Sequence, residues 1–241
     1  MRIRIVRAAA RDFRPLGDED ASLWVKPWKE VASPGTEIQV VRVVRGAETI
    51  ESIYDAEMAA PFILREVEKA ELEGADAVII HCMADPALDA AREAARIPVL
   101  GEGLACFVTA LSLGRKFSII APGCQSIPLY ERNLACYGLV DHLASVRALD
   151  VTVAHLRDDL RALKDAIIEQ ARRAIEVDGA EVIVPGCGEI YGMSKELSQR
   201  LGVPVLDPVA TVVAFAEMLV NLSLTCSKKA YPHPPPKRRE I

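Results

Sequence analysis

AVIIHCMADPALDAAREAARIPVLGEG, residues 77–103, and EVIVPGCGEIYGMSKELSQRLGVPVLDPV, residues 181–209, are two versions of one pattern. Each has an apolar run ending near a cysteine, a turn, a helical stretch, a short Ile-Pro-Val-Leu or Val-Pro-Val-Leu strand and the start of another helix. From Cys82 to Pro98 is 16 residues; from Cys187 to Pro204 is 17. A repeat of this kind predicts two similar lobes, each presenting one cysteine at the same topological position.

Working outward, the remaining segments alternate strand and helix. Ile3–Val6 and Glu37–Val44 are predicted strands, separated over 11–34 by a polar loop with at most a short helix. Residues 47–74 carry apolar residues at helical intervals, and Pro61 is expected to kink or divide that helix. Asp85-Pro86 reads as an N-cap and first helical position for a helix ending near Arg96. Pro98–Leu100, Lys116–Ala121, Val140–Arg147, Glu181–Pro185 and Val203–Leu206 are further strands. Helices over Glu102–Leu113, Gln125–Tyr137, Val153–Val177 and Ser194–Leu201 lie between them. A second Asp-Pro pair, Asp207-Pro208, opens the last helix. Strands and helices in alternation predict an α/β fold with mostly parallel sheets flanked by helices. The composition agrees: 51% apolar but only 5% aromatic, with a mean hydropathy of +0.17, suits sheets covered on both faces by Ala, Val, Ile and Leu.

A net charge of −5, with one concentrated basic run at Lys237-Arg238-Arg239, excludes a nucleic-acid-binding surface. No apolar stretch reaches 18 residues, and the start, Met1–Arg7, alternates charge with hydrophobe, so no membrane partner and a cytoplasmic location are expected. The six cysteines, at 82, 106, 124, 136, 187 and 226, include no CxxC pair and no zinc-type cluster. Free thiols, no metal and no cofactor are the expectation; no G-x-G-x-x-G follows the first strand.

In parallel α/β sheets ligands bind beyond the carboxyl ends of the strands, near helix N-termini. Cys82 and Cys187 fall there, where a helix dipole would favour the thiolate. Facing each other over a small-molecule substrate, they would form a symmetric acid/base pair: one thiolate removes a carbon-bound proton while the other thiol delivers one to the opposite face. Met83 and Ala84 after the first thiol, Gly123 and Cys124 after the central strand, and Gly188 and Glu189 after the second are the candidate ligand contacts. Gly186 and Gly188 would let the main chain approach the ligand. The plainer reading, a cysteine packed as a small hydrophobe, suits Cys106 and Cys136 in their apolar helices. His81, one residue before Cys82, is expected on the opposite side of its strand as a buried structural residue. Glu189 either polarises Cys187 or contacts a cationic substrate, or is a solvated loop residue. Gly101-Glu102-Gly103 reads as a helix entry with an acid in the first turn.

With both cysteine segments in hand, the chain resembles the Asp/Glu/hydantoin racemase superfamily, and hydantoin and allantoin racemases in particular. HCMADPALDAAREAARIPVLGEG (81–103) is similar to their first cysteine motif, ALSLGRKFSIIAP (110–122) to the central strand, and residues 182–220 to the second cysteine motif. The resemblance implies a homo-oligomeric, cofactor-independent racemase with two pseudo-symmetric lobes and the active site in the cleft between them. Residues 1–100 plus 207–230 would form the lobe of Cys82, residues 101–206 the lobe of Cys187, and residues 231–241 a proline-rich basic tail. Two departures bear on the substrate. Val6-Arg7-Ala8-Ala9-Ala10 stands where hydantoin racemases carry Asn-Pro-Asn-Thr, so Arg7 becomes the candidate carboxylate contact. Ala121-Pro122-Gly123-Cys124 replaces a Thr or Ser, while Gly186-Cys187-Gly188-Glu189 partly resembles the Gly-Cys-Thr-Glu of aspartate racemases. The expected function is racemisation of a hydantoin-like or amino-acid-derived substrate. The alternatives are a lyase of the arylmalonate decarboxylase type, which needs one protonating cysteine, and a catalytically silent small-ligand binding protein.

Overall fold

A computed structural model of the chain describes residues 1–10 and 18–239. In chain order the elements are β1 (Arg2–Arg7), α1 (Asp18–Val31), β2 (Glu37–Arg42), α2 (Ile53–Leu72), β3 (Ala77–His81), α3 (Leu88–Ala94), β4 (Val99–Gly101), α4 (Glu102–Leu111), β5 (Phe117–Ala121), α5 (Ile127–Tyr137), β6 (Leu143–Ala148), α6 (Leu160–Glu176), β7 (Val182–Pro185), α7 (Ser194–Leu201) and α8 (Pro208–Asn221). Two parallel sheets result, in the orders β2-β1-β3-β4 and β6-β5-β7, and a parallel bridge from Ile183 to Val205 extends the second. The two orders match element for element. Cys82 follows β3 and Cys187 follows β7, and the chain returns beside each strand through its Pro-Val-Leu segment. This is the α/β architecture with mostly parallel sheets that the alternation predicted.

Alternate residues of each inner strand serve opposite faces, as the two-residue period requires. Val6, Val78 and Ile80 pack under α2 and α3, whereas Ile3, Ile5, Ala77 and Ile79 pack with α8 and Trp28 of α1. In the second sheet Ile120 and Ile183 face α6 and α7, and Phe117, Ile119, Val182 and Val184 face Phe107 of α4 and Leu134 of α5. Helix α8 packs on β3, β4 and α4, while α4 touches both sheets. Among the described residues no helix is long and apolar enough to cross a membrane.

Several expectations change. Helix α1 occupies 14 residues of the segment expected to be a loop with at most a short helix; residues 11–17 of that segment lie outside the described residues. Helix α2 runs undivided through Pro61, with Ser52 as its N-cap accepting the Asp55 N–H. The predicted helix over Val153–Val177 begins only at Leu160, because Asp159 caps it through the N–H groups of Arg161 and Ala162. Val203–Leu206 forms a single bridge rather than a strand. Asp207 does cap α8, accepting the Ala210 N–H at 3.1 Å, with Pro208 in the first turn. Asp85 does not cap α3. It sits at φ 48°, and its carboxylate turns instead to the start of α4, accepting from Gly103 N–H (2.8 Å), Leu104 N–H (2.7 Å) and the Tyr137 hydroxyl (2.9 Å).

Candidate active site

The carboxyl ends of β1, β3, β5 and β7 converge on a cavity that is partly open to solvent. Both cysteines line it, Cys82 from the first sheet and Cys187 from the second. Each thiol is met by the backbone N–H of the second residue along, Ala84 for Cys82 and Glu189 for Cys187. These donors are held by different means. The Ala84 carbonyl accepts from Asn133 Nδ2 at 2.6 Å, and the Glu189 carbonyl accepts from Arg157 Nη1 at 2.7 Å. Ile50, Met83, Leu129 and Val153 supply apolar wall, with Thr49, Glu51, Ser126 and Tyr130 as polar groups.

A buried ionic network forms part of the same wall. His81 places Nδ1 3.1 and 3.2 Å from the carboxylate oxygens of Glu102 and Nε2 3.5 Å from Glu189 Oε1. That Glu189 oxygen also accepts from Arg7 Nη2 at 2.9 Å, and the Arg7 guanidinium lies 3.7 Å from the centroid of the Trp24 ring. Glu102 is fully buried. Gly188 is demanded by this packing: a Cβ there would lie 2.4 Å from His81 Cε1 and 2.5 Å from Glu102 Oε2.

Two cysteines on one cavity, each at the end of an equivalent strand, coincide with the comparisons. The family model for Asp/Glu/Hydantoin racemase matches residues 26–216. The chain belongs to that family. It is 36% identical over 187 residues to a hydantoin racemase of Rhizobium meliloti, covering 77% of this chain and 78% of the relative. With a hydantoin racemase of Pseudomonas sp. (strain NS671) it shares 34% over 210 residues, 87% of this chain and 84% of the relative. The crystal structure of an allantoin racemase from Pseudomonas fluorescens superposes with a TM-score of 0.91 at 35% identity, covering all of both chains. Arylmalonate decarboxylase, at 18% identity and a TM-score of 0.64, shares the fold. The protein is an isomerase of the racemase class.

Of the racemase's predicted contacts, Arg7, Met83, Ala84, Gly188 and Glu189 line the cavity with the two cysteines. Gly123 and Cys124 do not. Gly123 is extended (φ −132°, ψ 160°), and the following 3₁₀ turn leaves Cys124 exposed while it is Ser126 that lines the cavity. His81 also departs from expectation. Strand β3 ends there and the chain turns at Cys82, whose N–H bonds the Ile80 carbonyl (3.1 Å), so strict alternation no longer separates the two side chains. Glu189 is no solvated loop residue, since its side chain is 17% exposed and salt-bridged to Arg7 and His81. Gly186, expected at the ligand, does line the cavity, and its lack of a side chain also lets it pack on β5: a Cβ would lie 2.9 Å from Ala121 Cα.

The electrostatics differ from the expected thiolate-favouring site. Burial pushes Cys82 up to about 12 against the pull of the Ala84 N–H, and burial with the Glu189 charge pushes Cys187 well above the usual thiol range. Neither cysteine is in a helix's first turn: α3 begins six residues after Cys82 and α7 seven after Cys187. The donors at the sulfurs are turn amides without a helix dipole behind them. His81 goes the other way. Burial opposes its charge, but the Glu102 carboxylate and the bonds to Glu102 and Glu189 prevail and raise it to about 9. Glu189, despite its burial, is held down at about 2 by His81 and Arg7. Near neutral pH the pocket therefore combines two protonated thiols with an imidazolium and an ionised carboxylate. Glu102, Ser126 and Tyr130 were missed by the sequence reading; the acid in the first turn of α4 was noticed, but nothing local pointed it at His81.

Proposed function

We propose that this protein racemises a neutral, hydantoin-like ring without a cofactor, using Cys82 and Cys187 as opposed acid and base. The observation that carries this reading is that the two thiols line one cavity from opposite sheets, each with a backbone N–H at its sulfur. A thiolate so placed takes the proton from the stereogenic ring carbon, and the opposite thiol returns a proton to the other face. The charge left behind delocalises onto the adjacent ring carbonyl as an enolate.

Ring chemistry is favoured over an acidic amino acid by charge balance. Among the described lining residues the cations are Arg7 and His81, and both are engaged by carboxylates of the protein, Glu189 and Glu102. A substrate carboxylate would have to compete with Glu189 for Arg7 at the cost of a buried ion pair. A ring of amide N–H and C=O groups needs no such exchange. The relatives that are hydantoin and allantoin racemases support the same class.

The test is deuterium wash-in and loss of optical rotation in D₂O, run in parallel with 5-monosubstituted hydantoins, allantoin, aspartate and glutamate. Exchange with racemisation of a hydantoin-class ring is the expected result. Activity confined to the acidic amino acids, or exchange that never inverts the centre, would sink the proposal.

A further inference from the structure

We infer that His81 is a positioning residue of this reaction: through Glu189 it ties the strand end bearing Cys82 to the turn bearing Cys187, and it governs the competence of Cys187 rather than of Cys82. The inference rests on the two-thiol reading above. Its basis is geometric. The imidazole is clamped at both nitrogens, by Glu102 at 3.1 Å and by Glu189 at 3.5 Å, and its face is fixed by an edge contact with Trp28, centroids 4.9 Å apart. The Gly188 position lies against its Cε1, so the ring sets where the Gly188–Glu189 main chain can run. The Glu189 N–H in turn meets the Cys187 sulfur. Moving the ring therefore moves the donor that supports one thiolate.

The amide at the other thiol is held by bonds outside this chain of contacts. The Ala84 N–H at Cys82 belongs to a turn fixed by Asn133 from α5 and by Asp85 at the start of α4, and neither bond involves His81. Loss of His81 should consequently impair proton transfer at Cys187 while leaving transfer at Cys82 comparatively intact.

That asymmetry can be read from isotope exchange. Each enantiomer is deprotonated by the thiolate facing its hydrogen, and reprotonation by the same group after exchange with D₂O labels it without inversion. Racemisation slows in both directions when either thiol is impaired, so racemisation alone cannot tell them apart; wash-in can. The experiment measures wash-in into each separated enantiomer of a 5-substituted hydantoin for wild type, Cys82→Ser, Cys187→Ser, His81→Gln and Glu189→Gln. Expected is a skew of about tenfold or more in His81→Gln towards the enantiomer that Cys187→Ser still labels. Glu189→Gln should skew the same way, and it carries the test should His81→Gln fail to fold. Equal loss of both wash-in rates in the folded variants would make His81 merely structural and overturn the inference, as would a skew in the opposite sense. Failure of the two cysteine variants to prefer opposite enantiomers would instead remove the two-thiol reading, and this inference with it.

A pH series gives an independent readout. The groups facing the ring are Glu102 from α4, Glu189 from the turn after β7 and Arg7 from β1, with Cys82 adjoining. Protonated His81 is what both carboxylates hold, and its proton leaves near pH 9. The skew should therefore emerge in the wild type above that pH and show no such transition in His81→Gln.

Discussion

After Cys82 the chain turns so that the Cys82 carbonyl accepts the Asp85 N–H at 3.0 Å; after Cys187 the carbonyl accepts the Ile190 N–H, also at 3.0 Å. In both turns the second residue sends its N–H to the sulfur, and the fifth is left-handed, Ala87 at φ 60° and Gly192 at φ 75°. An aspartate then joins each turn to the helix that follows the next strand segment. In the first lobe Asp85 belongs to the turn and reaches the N–H groups of Gly103 and Leu104 in α4. In the second, Asp207 belongs to the helix end, caps α8 and reaches back to the Gly192 N–H at 2.6 Å. The connection is kept while the residue that makes it changes place. What the fold repeats, then, is the pair of thiols with their amides. What it does not repeat is the charge around them: His81 flanks Cys82, whereas glycines flank Cys187 and one of them, Gly188, leaves room for that imidazole.

The largest expected effect tests whether the shared plan is functional. Cys82→Ser and Cys187→Ser should each lower racemisation by about 10²–10⁴-fold, since a serine hydroxyl is a far weaker base than a thiolate. Chiral chromatography of a hydantoin substrate measures this, with circular dichroism to confirm the fold. Either variant keeping more than about a tenth of wild-type activity would break the equivalence of the two turns.

The pH profile sharpens the same comparison. A thiol raised by burial must lose its proton before it can act as a base, so the form with one thiolate and one thiol is scarce at neutral pH. Its share grows about tenfold per pH unit, and kcat/KM, which reports the free enzyme, should climb with it above pH 7. The climb should break near pH 9, where His81 loses its proton and its hold on Glu189. A bell centred on neutrality would mean that the thiols share one proton there, contrary to the effect of burial. Stability follows the same groups. The folded state holds the His81 proton more tightly than the unfolded chain, so its contribution is complete below the ordinary histidine pKa of about 6.5 and is lost as pH rises towards 9.

The aspartate of the first turn gives a smaller effect. Asp85→Ala would orphan the Gly103 and Leu104 N–H groups and the Tyr137 hydroxyl, and should cost about 2 kcal/mol in denaturant unfolding. Unchanged stability would show that the cap of α4 is not supplied by this turn.

The fold was legible because its signals are local. Val78, Ile79 and Ile80 between Gly74 and the 85–86 turn read as a strand because they form a short apolar run bounded by turn residues, and two cysteines at matched offsets announce a repeated site. What stayed hidden depends on long separations. Arg7 meets Glu189 across 182 residues, and His81 meets Glu102 across 21. No local pattern encodes such pairs. The thiol shifts were misjudged for the same reason, since burial is a property of the assembled lobes while a helix start can be read from the chain. Asp85-Pro86 shows the limit of local motifs. The dipeptide is the same as Asp207-Pro208, yet at φ 48° Asp85 turns its carboxylate away from α3 towards α4.

Cys124 gives the smallest expected effect and the sharpest contrast. Like Cys82 and Cys187 it follows an inner strand, but β5 leads into an extended glycine and a 3₁₀ turn, which put its thiol in solvent. Cys136 is exposed as well. A thiol on the surface is open to a reagent, whereas the two cavity thiols are shielded and held protonated by burial. Limited treatment with a maleimide at pH 7 should therefore label Cys124 and Cys136 first, as followed by mass spectrometry, with racemisation unchanged. Activity should fall only as label reaches Cys82 or Cys187, and Cys124→Ser should stay within about twofold of wild type, as for a surface substitution away from the site. Loss of activity in step with Cys124 labelling would return that residue to the cavity and end the distinction between a strand-end cysteine that serves the site and one that only resembles it in sequence.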